Sequence, residues 1–110
     1  MVYVGKIQWF SLEGEFGFQQ CEVRIERKEI EVSAIKDTAY DPIVYEGKEV
    51  GPGHYVLYLS ESTNIKGPHA TLHRLEKSTN LEGSFICDGE DGIEDGMWRI
   101  ELGEVKGKKG

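Results

Sequence analysis

The chain has 110 residues, of which 38% are hydrophobic and 30% charged, so its length suits one small globular domain. It contains no apolar run of the roughly 18 residues that a membrane span needs, which excludes an integral membrane protein of that kind. Thirteen basic residues against twenty acidic ones give a net charge of −7, which argues against strong nonspecific attraction to nucleic acid or anionic membranes. The first ten residues alternate polar and apolar instead of forming a secretory signal, so we expect a cytoplasmic protein.

Short segments rich in β-branched and aromatic residues, separated by turn signals, predict an all-β protein. Seven such strand candidates follow one another along the chain, at residues 3–10, 16–25, 30–35, 54–60, 69–75, 81–87 and 97–102. Glu46-Gly47-Lys48 and Gly51-Pro52-Gly53 are typical of turns, and Ser33 could cap one helical turn that extends to residue 40. Many short strands without a long helix predict a barrel or a sandwich.

A polar stretch at residues 76–80 is the one plausible boundary between two parts of the chain. It divides the chain into a first unit at 1–76, an extension at 77–105, and a tail at 106–110 that we expect to be disordered. The extension contains two strand candidates that predict a hairpin, with Trp98, Ile100 and Leu102 on one face. Because an isolated hairpin is marginally stable in water, we expect this face to dock on the first unit, with a partner protein as the alternative.

The most informative segment is residues 5–18, where two aromatic-rich strands flank a glycine turn. It resembles the opening of the cold-shock domain, in which Lys-Trp-Phe is followed at this spacing by Gly-Phe-Gly-Phe. Further along, Ser33-Ala34-Ile35, Glu46-Gly47-Lys48-Glu49-Val50 and Lys66-Gly67-Pro68-His69-Ala70 are similar to later segments of that family, in the same order. With an aromatic residue at Tyr40, the resemblance covers about residues 1–75.

This resemblance implies a five-stranded OB-type barrel, with the predicted hairpin as an extension, that binds single-stranded RNA or DNA without catalysis. Every base has a π-face, so exposed rings bind unpaired strands with little sequence preference. Six residues keep aromatic or basic positions of the family's binding face: Trp9, Phe10, Phe16, Phe18, Tyr40 and Lys66. Without the resemblance, Phe16 and Phe18 would be assigned to the core, because they lie on one face of a strand.

Several departures from the family pattern predict weak binding. Gln8 and Gly14 replace two lysines of the family, and Glu29 and Glu31 fall where the family has a phenylalanine and a histidine. Ile30 and Val32 alternate with these two glutamates. If Ile30 and Val32 face the core, both carboxylates face the binding surface. Near a phosphate at ~6 Å in water, each carboxylate would cost about 0.7 kcal/mol before screening. This cost weakens binding without abolishing it.

The alternative function is that of a protein-interaction module on the same barrel. In this case Glu29, Glu31 and the acid-rich segment at 88–95 form an acidic surface that binds a basic protein partner and excludes nucleic acid.

Neither a metal ion nor a cofactor is expected. His69 and His73 are four residues apart on a predicted strand, which separates them by about 13 Å, and His54, across a hairpin, brings no third ligand at zinc spacing. The acidic segment at 88–92 lacks the ligand pattern of an EF-hand loop.

Cys21 and Cys87 are too far apart in sequence for a Cys-x-x-Cys site and are expected to be reduced thiols. No nucleophile elbow, phosphate-binding loop or catalytic triad stands out, so the sequence predicts a protein that is not an enzyme.

Overall fold

The computed structural model describes residues 1–11, 13–36, 42–60, 66–75, 77–89 and 92–106. These residues form eight β-strands, and in this part of the chain no helix has the length and apolarity to cross a membrane. The strands are β1 (Val2–Ser11), β2 (Gly14–Glu26), β3 (Glu29–Ala34), β4 (Ile43–Gly51), β5 (His54–Leu59), β6 (Ala70–His73), β7 (Asn80–Gly89) and β8 (Gly92–Val105).

Each strand pairs antiparallel with the next along the chain, and β8 pairs with β1 to close a barrel. The prediction of an all-β protein is therefore confirmed. Each of the eight described strands therefore has a partner strand on both sides, which protects its backbone from pairing with another chain.

The strand count differs from the expected five plus a docked hairpin. The two C-terminal strands complete the wall of the barrel, since β7 pairs with β6 and β8 pairs with β1. The polar stretch expected to mark a boundary leads from β6 into β7, with Lys77 at a φ of 63°. Both expected units, 1–76 and 77–105, thus contribute strands to one closed sheet. Of the expected tail, Lys106 is described and 107–110 lie outside the described residues.

The predicted turn at Glu46-Gly47-Lys48 is wrong, because these residues lie in the middle of β4. Gly47 is needed there for packing: a Cβ on it would overlap the Val56 carbonyl oxygen and lie 2.7 Å from Leu57 Cα. A glycine inside a strand often marks such a close approach of two backbones. The turn predicted at Gly51-Pro52-Gly53 joins β4 to β5 as expected. Ser33, expected to cap a helical turn, lies in β3, and residues 37–40 are outside the described part.

Side chains fill the interior of the barrel, as the small circumference of eight strands allows. One end of the core is aromatic: Trp98 lies between Trp9 and Tyr45, with ring centroids 5.5 Å and 5.0 Å away. Aliphatic residues occupy the rest, including Ile7, Val23, Val32, Leu57, Leu72, Leu81 and Ile100. Any partner of a barrel packed in this way must bind its outer surface.

Candidate binding surfaces outside the barrel

Trp9, expected to stack on nucleic acid, is a core residue. It is 6% exposed and lies two residues after the buried Ile7, which places both side chains on the inner face of β1. Its ring stacks on Trp98 at 5.5 Å and meets Phe85 edge-on at 4.8 Å. Stacking on Trp98 occupies a face that a base would need, so Trp9 does not belong to an exposed binding face in this structure.

Two other expected contact residues lie on the outer surface of β1 and β2. Phe18 is 54% exposed, and the Lys6 ammonium lies 4.5 Å from the centre of its ring. Phe10 is half-buried and lies opposite the exposed Met97 of β8. We call these four residues, Lys6, Phe10, Phe18 and Met97, the outer aromatic face.

The remaining expected contacts are not brought to this face. Lys66 is exposed in the segment between β5 and β6, on the side of the eight-stranded ring that lies across from β1 and β2. Phe16 lies in β2, but its side chain is outside the described residues, as is Tyr40. Of the six expected residues, the structure therefore places two, Phe10 and Phe18, on one surface.

A groove of about 730 Å³ runs across the outer surface of β2 to β5. Its charged lining is mainly acidic, with Glu26, Glu29, Glu31 and Glu46 against Arg24 and Lys48; Val50, Val56 and Tyr58 supply apolar surface. We call it the acidic groove. The sequence marked Glu29 and Glu31, but it did not indicate that β4 and β5 bring Glu46 and Tyr58 beside them, because β4 was not predicted.

Two pairs of glutamates in the acidic groove lie directly opposite each other on neighbouring strands. Glu31 of β3 is paired in register with Glu46 of β4, and Glu26 of β2 with Glu29 of β3. Arg24 forms an ion pair of 3.3 Å with Glu31, and among the described residues no salt bridge joins Glu29 or Glu46 to a cation. Lys48 lies opposite Glu29 in register, and the N-terminal ammonium lies 3.8 Å from Glu26. The Glu31–Glu46 pair is therefore the less compensated of the two, and like charges that face each other across a sheet are destabilising.

The acidic surface expected for a protein-interaction module forms only in part. Ile30 and Val32 are buried, which directs Glu29 and Glu31 outward. Of the acid-rich segment at 88–95, residues 90 and 91 lie outside the described residues, while Glu94 and Asp95 lie in β8, three strands round the ring from β3. The described acidic residues of this segment therefore do not join the two glutamates in one surface.

Histidines and cysteines occupy different environments. His54 and His73 lie side by side on the outer face of β5 and β6, with their Nδ1 atoms 2.6 Å apart. His69 is buried, and its Nδ1 accepts a hydrogen bond of 2.6 Å from the Leu59 backbone N–H. Burial raises the pKa of the Cys21 thiol to about 12, so this thiol is neutral at physiological pH and a poor nucleophile. The described part of the chain has no group of three metal-ligating side chains.

Comparison with known proteins adds no relative. No family model, curated protein or solved structure matches the chain.

Proposed function

We propose that this protein is a noncatalytic binding module whose acidic groove holds a basic, extended segment of a partner protein. The observation that carries the proposal is the pair of directly opposed glutamates, Glu31 and Glu46, in the lining of the acidic groove. A guanidinium or ammonium group placed between two such carboxylates would neutralise their repulsion and gain charge-assisted hydrogen bonds.

The electrostatic energies of the two carboxylates are small, so we expect them to contribute more to the choice of partner than to the affinity. Two carboxylates ~6 Å apart in water repel by about 0.7 kcal/mol before salt screening. Binding a cation between them relieves this repulsion and adds attraction of similar size, which steers a basic partner and disfavours an acidic one.

The apolar lining supplies a second kind of contact. Tyr58 is 47% exposed and lies next to Glu46 in register, so its ring can pack against the stem or the charge of an arginine. Val50 and Val56 offer surface to an apolar residue of the same segment. Alternating basic and apolar residues fit this lining, because side chains of an extended peptide point in alternate directions.

A direct test is fluorescence anisotropy with a labelled short peptide in which arginine and valine alternate. We expect saturable binding that weakens as salt is added, and a loss of at least tenfold in affinity, about 1.4 kcal/mol, for the double variant Glu31→Gln, Glu46→Gln. The matched control is Glu94→Gln, Glu101→Gln, which makes the same charge change on the exposed surface of β8. Equal affinities for the two double variants would overturn the proposal, because only net charge would then matter.

Stability gives a second readout that does not need a ligand. Glu46→Gln removes the repulsion but leaves the Arg24–Glu31 ion pair intact. We expect it to raise the free energy of unfolding by a few tenths of a kcal/mol at low salt, an effect that shrinks as salt is added. A decrease would mean that Glu46 is already compensated in the free protein.

A second candidate function is weak binding of single-stranded nucleic acid, and the outer aromatic face favours it. The exposed Phe18 ring lies beside the Lys6 ammonium at 4.5 Å, a pairing that suits a base on the ring and a phosphate on the amine. The resemblance to the cold-shock domain motivates this candidate. The OB barrel of that family is a five-stranded Greek key, whereas all eight strands here pair with their chain neighbours, so the support comes from Phe10, Phe18 and Lys6 alone.

Stacking on one or two rings supplies about 1–3 kcal/mol each, so we expect low affinity. Titration of labelled oligo-dT and oligo-U into the protein tests this function, with Phe18→Ala as the disruptive variant and Tyr58→Ala, in the acidic groove, as its control. Binding that Phe18→Ala abolishes and Tyr58→Ala preserves would support it. No binding at low salt with millimolar strand would refute it.

A further inference from the structure

Two histidines form a pair on the outside of the barrel, beside the acidic groove, whose lining includes Val56 of β5. His54 of β5 and His73 of β6 are directly opposite each other in register, and both are exposed. Their rings are nearly perpendicular, at 87°, with centroids 4.6 Å apart. Their Nδ1 atoms face each other at 2.6 Å.

This geometry constrains what can lie between the two nitrogens. If both nitrogens carried a hydrogen, the two N–H groups would clash, and if neither did, their lone pairs would repel each other. A single hydrogen or a cation must therefore lie between the two nitrogens. A proton satisfies this requirement, and so does a metal ion bound to both neutral imidazoles, since imidazole is the commonest side-chain ligand for transition metals.

We propose that His54 and His73 chelate a divalent transition-metal ion of the zinc, nickel or copper class. With metal–nitrogen bonds of about 2.0–2.1 Å, two ligands around one ion lie about 2.9–3.4 Å apart for bond angles of about 90–110°. The present Nδ1–Nδ1 distance of 2.6 Å reaches this range with small side-chain rotations, because neither ring is held in the core. Water completes the coordination sphere of this open, two-imidazole site.

The neighbouring strand supplies charges that bear on the site. Glu82 of β7 is the register partner of His73, and its carboxylate is bonded to Arg99 of β8 at 2.8 Å. While that ion pair holds, the two charges largely cancel near the metal. If Glu82 turns to the metal instead, it becomes a third ligand, and Arg99 loses its partner. Glu82→Gln therefore distinguishes a two-ligand site from a three-ligand site.

Neither preceding function requires this site, and the site requires neither of them. A bound metal would join the side chains of β5 and β6, in addition to the backbone pairing of these two strands. This link matters because β6 has only four residues. Binding to the folded state alone would also stabilise the barrel.

Isothermal titration of the full chain with nickel or zinc chloride in a non-chelating buffer is the primary test. We expect one equivalent to bind, with affinity reduced at least tenfold in His54→Gln and in His73→Gln. Nitrogen-15 NMR of the imidazole rings should show that the metal shifts Nδ1 of both residues. Thr71→Ala, an outer-face change elsewhere on β6, is the control and should bind as the unaltered protein does.

Circular dichroism confirms that each variant is folded, so that lost binding reports the ligands and not the barrel. Equal affinity in the double variant His54→Gln, His73→Gln would overturn the assignment. Binding that is lost only when Cys87 is alkylated would also overturn it, since the thiol would then be the ligand. Heat absent at about millimolar metal would show that the pair shares only a proton.

Discussion

Truncation of Trp98 to alanine is the perturbation that most directly tests the aromatic core. Trp98 is 1% exposed, packs between Trp9 and Tyr45, and donates a hydrogen bond of 3.0 Å from Nε1 to the Thr71 carbonyl oxygen. Burial of about 200 Å² at about 25 cal/mol/Å² contributes about 5 kcal/mol. Truncation also leaves a cavity among the rings, and relaxation of the neighbours recovers part of the lost packing. We therefore expect the free energy of unfolding to fall by about 3–5 kcal/mol, the range typical of Trp→Ala in a core.

Urea unfolding followed by far-ultraviolet circular dichroism measures this cost. Since small domains are stable by about 5–15 kcal/mol, Trp98→Ala should lower the denaturation midpoint severely or prevent folding. The adjacent Met97 is 55% exposed on the outer face, so Met97→Ala is the matched control and should change stability by less than about 0.5 kcal/mol. A loss below about 1 kcal/mol for Trp98→Ala would refute the placement of this ring in the core.

Three further perturbations probe closure, packing and burial. Deletion from Lys77 onward removes β7 and β8, so the remaining strands cannot close, and the product should lack a cooperative melt; a transition equal to that of the full chain would contradict a single eight-stranded barrel. Gly47→Ala should cost more than about 2 kcal/mol, because its Cβ meets the backbone of β5. At Gly51 a Cβ would approach nothing closer than His54 Cδ2 at 3.9 Å, so Gly51→Ala is the control and should cost much less stability. Equal denaturation midpoints for the two variants would argue against the tight β4–β5 packing. Burial raises the pKa of Cys21 from 9.0 to about 12, so the unfolded thiol ionises first. The stabilisation is complete below about pH 9 and is lost as the pH rises towards 12, and Cys21→Ala should flatten that slope in thermal melts.

Most of the fold follows from alternation along the strands. All seven predicted strands overlap observed ones, because alternate side chains that face a filled interior are apolar. The missed strand, β4, contains the charged outer residues Glu46 and Lys48 around Gly47, a composition that favours turns. Only the tight backbone approach of β5 explains that glycine, and such a contact is not visible in local sequence.

The position of Trp9 was available from the same alternation. Ile7 and Trp9 share parity on β1, so an inward Ile7 requires an inward Trp9. The resemblance to the cold-shock domain instead led to the prediction that Trp9 is exposed on a binding face. The acidic groove could not be predicted in full, since the Glu31–Glu46 pairing depends on the register between β3 and the unpredicted β4. The His54–His73 pairing likewise depends on the register between β5 and β6.

The most direct test of the proposed function is a ¹⁵N–¹H NMR titration of the full chain, with the arginine–valine peptide and with oligo-dT in separate experiments. The acidic groove predicts that the peptide shifts amides at and around Glu31, Glu46 and Tyr58, and that these shifts fade in the Glu31→Gln, Glu46→Gln variant. Peptide-induced shifts spread evenly over the barrel, or shifts that oligo-dT alone induces around Phe10 and Phe18, would contradict a basic protein partner in the groove.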